Sequence, residues 1–221
     1  MPLVANAAAF RRRLLRWFRR RGRRLPWRET RDPYRVLVSE FMLQQTQVSR
    51  VVQFYGRFLN RYPTVEALAR ARPTAVREAW DGLGYYQRAR NLHQLAQAVV
   101  KRHDGLVPQS PQLLLGLPGV GRYTAAAVTT FAYERRALPV DTNVARVLGR
   151  AFGVTRTDTS RAERRLARLA DRLLPRAGKV AWAFNQALMD LGATVCVARQ
   201  PQCGKCPVRE QCKTGRRVTK A

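Results

Sequence analysis

Residues 117–128 read LPGVGRYTAAAV and are the most informative segment of the sequence, because they predict a tight turn between two helices. Pro118 stops a preceding helix, and Gly119 and Gly121 allow a tight turn with close backbone approach. A second helix is then expected to begin at Gly121 and to run through Val128. Amides at a helix start, together with the positive end of the helix dipole, suit a phosphate group. A glycine pair alone is more often an ordinary turn between packed helices, so the interpretation depends on the whole string.

The segments on both sides of this turn predict helices and almost no strands. Apolar residues recur with the 3.6-residue period of amphipathic helices, with short breaks between the segments. Asp32 and Pro33 form an N-cap with a first-turn proline, and Ser160 with Glu163 forms a capping-box pattern. The sequence therefore predicts an all-α fold.

The chain is strongly basic. Its 221 residues include 42 Lys and Arg against 14 Asp and Glu, for a formal net charge of +28. Phosphate backbones are the obvious partner for such a field, although a generally cationic surface or an acidic membrane leaflet would also account for it. A run of about 18 apolar residues, which a membrane span requires, does not occur in the sequence. At the N-terminus the arginines follow the apolar residues, which is the wrong order for a secretory signal, so a cytoplasmic, nucleoid-associated protein is expected.

Four cysteines near the C-terminus, the only ones in the chain, have the spacing C-x6-C-x2-C-x5-C. Their clustering indicates shared metal ligation, since structural disulfides need an oxidising compartment. A zinc site with four cysteine ligands competes with an iron–sulfur cluster, although zinc ribbons present two close pairs of cysteines and this segment has only one. The expected ligands of this metal site are Cys196, Cys203, Cys206 and Cys212.

Two carboxylates occupy unlike positions in the pattern. Glu40 falls on the apolar stripe of its helix, where burial would favour the protonated form. It could equally lie at the edge of the stripe and reach solvent or an arginine. Asp141 precedes the helical stretch TNVARVLGR, and the commonest role of aspartate there is that of an N-cap. A helix N-terminus also keeps a carboxylate ionised, which suits stabilisation of a cation.

Several segments together resemble one family. They resemble the adenine glycosylases of the MutY type, in the helix-hairpin-helix superfamily that includes endonuclease III. The resemblance implies two helical lobes with a DNA-binding cleft between them. A six-helix lobe with the hairpin would cover residues 25–135, and residues 1–24 with 136–221 would form the cluster lobe, so that Glu40 and Asp141 face each other. The segments are LPWRETRDPYRVLVSEFMLQQTQ from residue 25, GLGYYQRARNL from residue 82, the hairpin, VDTNVARV from residue 140 and FNQALMDLG from residue 184.

The resemblance also implies a chemistry for these residues. Glu40 matches a glutamate that protonates adenine and helps to activate water, and Asp141 matches an aspartate that stabilises the sugar cation. Asn143 matches an asparagine that supports this chemistry through hydrogen bonds. The cysteines match the ligands of one four-iron, four-sulfur (4Fe-4S) cluster, whose basic loop, with Arg199, would lie against DNA.

Further residues match parts of the family that contact DNA. Gln45, Thr46, Leu83 and Tyr85 resemble positions that wedge into the duplex and meet the orphaned base, although core packing is the simpler role, particularly for Leu83. In the hairpin, the expected contacts are made by Gly119, Gly121 and Arg122.

Tyr123 bears on the type of reaction. Enzymes of the endonuclease III type have a lysine at this point, which forms a Schiff base that leads to strand cleavage. Tyrosine cannot form one, so a monofunctional glycosylase is expected rather than a bifunctional lyase.

The expected activity is hydrolysis of adenine mispaired with 8-oxoguanine or guanine, by a monomer acting on double-stranded DNA. Two alternatives are a thymine or uracil mismatch glycosylase of the same superfamily and a non-catalytic iron–sulfur DNA-binding protein. Enzymes of the MutY type usually continue into a C-terminal domain that helps to recognise 8-oxoguanine. This sequence stops soon after Cys212, so the resemblance implies an enzyme without that domain.

Overall fold

A computed structural model of the chain describes residues 2–153, 165, 168–170 and 172–218. Throughout these residues the regular structure is helical and contains no strand, as the sequence predicts. The predicted capping box at Ser160 and Glu163 lies outside the described residues. In chain order the helices are α1 (Pro2–Arg21), α2 (Pro33–Leu43), α3 (Val48–Arg61), α4 (Val65–Ala69), α5 (Pro73–Ala79), α6 (Gln87–His103), α7 (Pro111–Leu115), α8 (Arg122–Phe131), α9 (Thr142–Phe152), α10 (Gly178–Thr194) and α11 (Lys213–Arg217).

The chain divides into two compact units. One is Arg24–Tyr133, and the other combines Met1–Arg23 with Glu134–Ala221. The first unit contains the helices α2 to α8, and α2, α5 and α7 each begin with a proline in the first turn. Over the described part of the chain, none of the helices combines the length and apolar character that crossing a bilayer requires.

Helix α2 is the central element of the unit Arg24–Tyr133. It packs against α3, α6 and α8, and its side chains from Val36 to Met42 are all buried. The predicted N-cap is confirmed, because Oδ1 of Asp32 accepts hydrogen bonds from the amides of Tyr34 (2.8 Å) and Arg35 (3.2 Å). Any polar side chain in the middle of α2 is therefore held inside the unit.

The other unit is organised around α10. Both α1 and α9 pack against α10, and the rings of Phe10 in α1 and Phe152 in α9 lie 5.1 Å apart. At the end of α1, Arg23 donates to the buried carboxylate of Asp190 through its backbone amide (2.8 Å) and its Nε (2.7 Å). The first helix of the chain is thus fixed to residues that follow it by more than a hundred positions.

Candidate active site and nucleic-acid interface

The predicted hairpin joins α7 to α8, and Gly119 is the residue that shapes it. Its φ of +73° lies in the left-handed region that favours glycine. A Cβ at this position would lie 2.8 Å from Cβ of Asn91 and 2.9 Å from Cε1 of Phe41, which is too close for either contact. Gly119 is therefore required both by its backbone conformation and by the close approach of the turn to α6 and α2.

Gly121 differs from Gly119, although the sequence gives them similar roles. It is the N-cap of α8 with an ordinary extended backbone (φ −95°, ψ −179°), and a Cβ there would meet nothing within 4 Å. Packing inside the protein therefore does not require glycine here. Arg122, which follows, is exposed, and Tyr123 is half-buried in the first turn of α8.

Glu40 is a buried carboxyl group. The residue exposes only 5% of its surface and lies on α2, between residues that are themselves buried. Of the two positions that the sequence left open, the structure therefore has the buried one.

Asp141 is in a different environment. It is the N-cap of α9, where its Oδ1 accepts a hydrogen bond of 2.6 Å from the amide of Val144, as predicted. Its Oδ2 accepts a second hydrogen bond, of 3.1 Å, from Nδ2 of Asn143. Both bonds fix the orientation of the carboxyl group at the start of α9. Asp141 and Asn143 are half-buried, so the structure brings together these two predicted residues.

Arg146, one turn further along α9, continues this network towards the cysteines. Its Nη2 donates to Oδ1 of Asn143 (2.6 Å) and to the carbonyl of Gly192 (2.7 Å). Its Nε donates to the carbonyl of Cys196 at 2.8 Å. The carboxylate of Asp141 is thereby connected to the backbone of the first cysteine through two side chains, those of Asn143 and Arg146.

Arg150 makes a second connection from α9 to the same loop. Its guanidinium donates to the carbonyls of Val197 (2.7 Å) and Ala198 (2.9 Å), and it lies 3.4 Å from Sγ of Cys196. Arg146 and Arg150 were not identified from the sequence. The available signal is their four-residue spacing, which puts both side chains on one face of the helix.

The four cysteines line a single cavity. Its walls include all four thiols together with Arg150 and Gly215, whose amide donates to Sγ of Cys212 at 3.3 Å. Burial, reinforced by the neighbouring thiols, raises the pKa of Cys206 to about 11, and burial also raises the pKa of Cys212. The described residues contain no group of three or more His, Cys, Asp or Glu side chains arranged to hold a single metal ion.

These thiols fit a metal–thiolate group. Metal ions favour the thiolate form that burial disfavours, and N–H donors directed at sulfur stabilise the same charged form. Gly215 and Arg150 supply such donors. Arg199 is exposed on the loop that follows Cys196.

The predicted wedge residues fall into two groups. Gln45 and Tyr85 are exposed, Tyr85 by 61%, and both have left-handed backbones with φ of 55° and 47°. Thr46 is half-buried beside Gln45. Leu83 exposes only 6% of its surface, so for this residue the structure favours core packing over insertion into DNA. The wedge hypothesis is therefore better placed on Gln45 and Tyr85.

Comparison with known proteins agrees with this geometry. Residues 38–172 match the model of the family described as HhH-GPD superfamily base excision DNA repair protein. The adenine DNA glycosylase of Mycobacterium tuberculosis is 46% identical over 88% of this chain and 64% of its own length. The adenine DNA glycosylase of Rattus norvegicus is 43% identical over 97% of this chain and 43% of its own length.

A solved structure matches this chain over nearly the full length of both proteins. The structure of a thermostable thymine-DNA glycosylase superposes with a TM-score of 0.88 at 33% identity, covering 96% of this chain and 98% of the other. The chain thus spans less than two thirds of the length of each adenine glycosylase, but almost the whole of the thymine enzyme. On the family match and these likenesses, the chain belongs to the HhH-GPD superfamily of base excision DNA repair proteins.

Proposed function

We propose that this chain is a monofunctional DNA glycosylase that hydrolyses the N-glycosidic bond of adenine mispaired with guanine or 8-oxoguanine. The observation that carries the proposal is the contrast between two carboxyl groups. Glu40 is buried on α2, whereas Asp141 is half-buried and fixed as a helix cap by the amide of Val144 and by Asn143. Two carboxyl groups in such unlike surroundings can take the two different roles that the reaction needs, one as the acid and the other as the anion.

Glu40 supplies the proton in this reaction. Adenine leaves poorly as an anion, and protonation of a ring nitrogen lets it leave as a neutral base. A carboxyl group kept neutral by burial donates that proton, and the carboxylate that remains then activates the attacking water. The same pair of steps in one residue is known for glycoside hydrolysis by two carboxyl groups.

Asp141 stabilises the sugar as the bond breaks. The deoxyribose acquires oxocarbenium character, and an anion fixed in place before the reaction lowers the energy of that cation. Asn143 donates to Oδ2 of Asp141 and accepts from Arg146, so its amide orients the carboxylate. Asn143 thus supports the reaction through Asp141.

The proposed DNA interface consists of the hairpin and the two exposed loops that carry Gln45 and Tyr85. Gly121 leaves open space at the start of α8, where a phosphate oxygen can approach the backbone closely, and Gly119 and Arg122 flank it. Gln45 and Tyr85 would enter the duplex, since inserted side chains lower the cost of extruding a nucleotide. The net charge of +28 supports binding to the phosphate backbone of double-stranded DNA.

Tyr123 supports hydrolysis without strand cleavage. A Schiff base with the abasic sugar requires a primary amine, which a phenol does not have. The product is then an intact strand with an abasic site. Borohydride trapping tests this point directly, because a covalent protein–DNA adduct would show lyase chemistry.

We further propose that Cys196, Cys203, Cys206 and Cys212 would hold one 4Fe-4S cluster. When bound, the cluster supplies a rigid crosslink that fixes the loop carrying Arg199. Zinc is the alternative that the donor set also permits. Purified protein with equal amounts of iron and acid-labile sulfide supports the cluster, whereas zinc without sulfide contradicts it.

The test of the catalytic assignment is a single-turnover excision assay. Adenine release is measured from A·G and A·8-oxoguanine duplexes with the unaltered chain, Glu40→Gln, Asp141→Asn and the control Glu78→Gln, an exposed carboxylate on α5. Loss of the acid is expected to slow release about 10²- to 10⁴-fold, and Asp141→Asn by about 10²-fold or more. Full activity in both variants contradicts the assigned roles.

Thymine is the second candidate base. The likeness to the thymine-DNA glycosylase favours it, because that superposition extends over nearly the whole of both chains. Tyr123 is compatible with either base. Offering G·T and G·U duplexes beside the adenine mismatches decides between the two candidates, since the preferred substrate is the one released fastest at saturating enzyme.

A further inference from the structure

Arg88, in the first turn of α6, is a buried arginine that the catalytic scheme does not use. Only 6% of the residue is exposed. Its Nη1 donates to three carbonyl oxygens at the end of α2 and just beyond it, and these are Phe41 (3.1 Å), Met42 (2.6 Å) and Gln44 (2.5 Å). Because α2 ends here, no following helix turn supplies amide donors to these carbonyls. Arg88 supplies the donors instead.

The other side of the same guanidinium binds a second segment. Its Nη2 donates to the carbonyls of Leu83 (3.1 Å) and Gly84 (2.9 Å), and its Nε to that of Tyr85 (3.4 Å). The guanidinium carbon also lies 5.5 Å from the ring centroids of Tyr85 and Trp80. One side chain therefore ties together residues 41–44 and residues 83–85, which are about forty positions apart in the chain.

Each of these segments leads directly into an exposed residue with a strained backbone. Gln45 follows Gln44 with φ of 55°, and Tyr85 follows Gly84 with φ of 47°. A left-handed backbone at a residue other than glycine is strained and persists only where the surroundings impose it. Among the carbonyls that Arg88 binds, those of Gln44 and Gly84 immediately precede these two residues, and a third belongs to Tyr85 itself.

We propose that Arg88 is a positioning residue that holds Gln45 and Tyr85 in a single arrangement for insertion into the DNA duplex. This inference rests on the proposed function, since the two residues are the proposed wedge. The action of Arg88 is indirect, because its partners are the backbone carbonyls behind the wedge. Loss of Arg88 frees the two loops from each other and impairs extrusion of the target nucleotide rather than cleavage of its bond.

Arginine is suited to this arrangement in a way that lysine is not. The planar guanidinium has five N–H donors in a fixed fork, whereas an ammonium has three donors on a single atom. Two groups of carbonyls on different segments can be bound at once only by the fork. Arg88→Lys is therefore expected to keep the positive charge but to lose the connection.

Two substrates separate positioning from chemistry. Single-turnover excision is measured from an A·G duplex and from a duplex with the same adenine opposite an abasic site, where no base pair has to open. Arg88→Met is expected to slow the A·G reaction by about 10²-fold, the scale for misplaced groups, and the unpaired substrate by less than about threefold. Arg88→Lys is expected to behave like Arg88→Met. Equal slowing of both substrates overturns the proposal.

The control variant is Arg102→Met, which removes an exposed arginine from the last turn of the same helix. Hydrogen exchange of the free protein supplies a readout that needs no DNA. In Arg88→Met, the backbone amides of residues 43–46 and 83–86 are expected to exchange faster together, and by a larger factor than the amides of α6 after its first turn. Unchanged exchange in either segment overturns the proposal.

A fluorescent base distinguishes failure of this inference from failure of the proposed function. 2-Aminopurine at the target position brightens when it leaves the stack, whether or not a bond is cleaved afterwards. If the unaltered chain brightens it without excising any base, the catalytic assignment fails, and the inference stands provided that Arg88→Met does not brighten it. If the unaltered chain does not brighten it either, the inference fails.

Discussion

Arg88 and Arg146, each within its own unit, both bind backbone carbonyls through their guanidinium groups, but they differ in burial and in their other partners. Both are arginines on a helix that fork onto the backbone carbonyls of irregular segments. Arg88 is nearly fully buried, and the hydrogen bonds described above all run to carbonyl oxygens. Arg146 is half-buried, and one of its bonds ends on the side chain of Asn143, which in turn donates to Asp141.

The difference concerns what each arginine can transmit. Arg88 fixes the shape of a backbone, and its loss alters where the exposed residues beyond that backbone lie. Arg146 joins a side chain next to a proposed catalytic carboxylate to the carbonyl of Cys196. A change in the cysteine loop therefore has a direct route of hydrogen bonds to Asp141, whereas a change at the wedge has no comparable route through Arg88.

The largest expected effect is that of Arg88→Met on stability. Several buried carbonyls lose their donor at once, and each unsatisfied buried group costs about 1–3 kcal/mol before the structure relaxes. The free energy of unfolding in urea is expected to fall by about 2–4 kcal/mol. Arg102→Met, measured in parallel, is expected to remain within about 0.5 kcal/mol of the unaltered chain. A fall no larger than that of the control would show that water replaces the guanidinium without cost.

Arg146→Met is expected to have a smaller effect on stability, about 1–3 kcal/mol, because Arg146 binds fewer backbone carbonyls than Arg88 and is itself only half-buried. The rise in the activation free energy of excision should exceed the fall in the free energy of unfolding, because Asn143 loses the partner that orients it. A double-mutant cycle with Asn143→Ala measures this connection. Independent losses would contradict it, whereas a coupling energy of about 1 kcal/mol is expected for residues in one network.

Arg150→Met tests the part of the network that does not reach Asp141. It removes donors from the carbonyls of Val197 and Ala198 and from the vicinity of Sγ of Cys196. The expected fall in stability is about 1–2 kcal/mol. Bound iron should be lost to a chelator faster than from the unaltered chain, while excision by the fully loaded protein stays near normal. A loss of excision as large as that of Arg146→Met would remove the distinction between the two arginines.

The smallest expected effect is that of Thr214→Val. Oγ1 of Thr214 donates to the carbonyl of Arg150 at 3.0 Å, which joins α11 to the end of α9. Loss of one neutral hydrogen bond is expected to cost about 0.5–1.5 kcal/mol, seen as a shift of the urea midpoint without a change of slope. Excision should be unaltered, and a measurable loss would extend the network beyond Arg150.

Local features of this fold could be predicted from the sequence, whereas features that depend on packing could not. The caps at Asp32 and Asp141 need only a short side chain before a helical segment, so the pattern identifies both. The sequence does not distinguish burial from exposure for Glu40, because a helical wheel shows which face of a helix is apolar but not how many faces are covered. Helix α2 is covered by α3, α6 and α8, and this depends on the whole unit.

The arginine network was beyond the reach of the sequence for a related reason. Arg88 is one of 42 lysines and arginines, and no local pattern separates a buried arginine from a solvated one. Its partners are backbone carbonyls, which every residue has. Only the folded arrangement of residues 41–44 and 83–85 distinguishes it. The spacing of the cysteines, by contrast, is a chemical pattern that the sequence carries in full.

The packing of α1 against α10 sets the order in which the chain can fold as it leaves the ribosome. The unit Arg24–Tyr133 contains all of its own residues in one stretch, so it can collapse as soon as that stretch has emerged. Helix α1 is made before that stretch, yet its partner α10 is synthesised only after it, a delay of about 10 to 30 seconds at ordinary elongation rates. In the interval its apolar stripe, with Phe10 and Leu14, stays uncovered on the nascent chain and is a natural target for a chaperone.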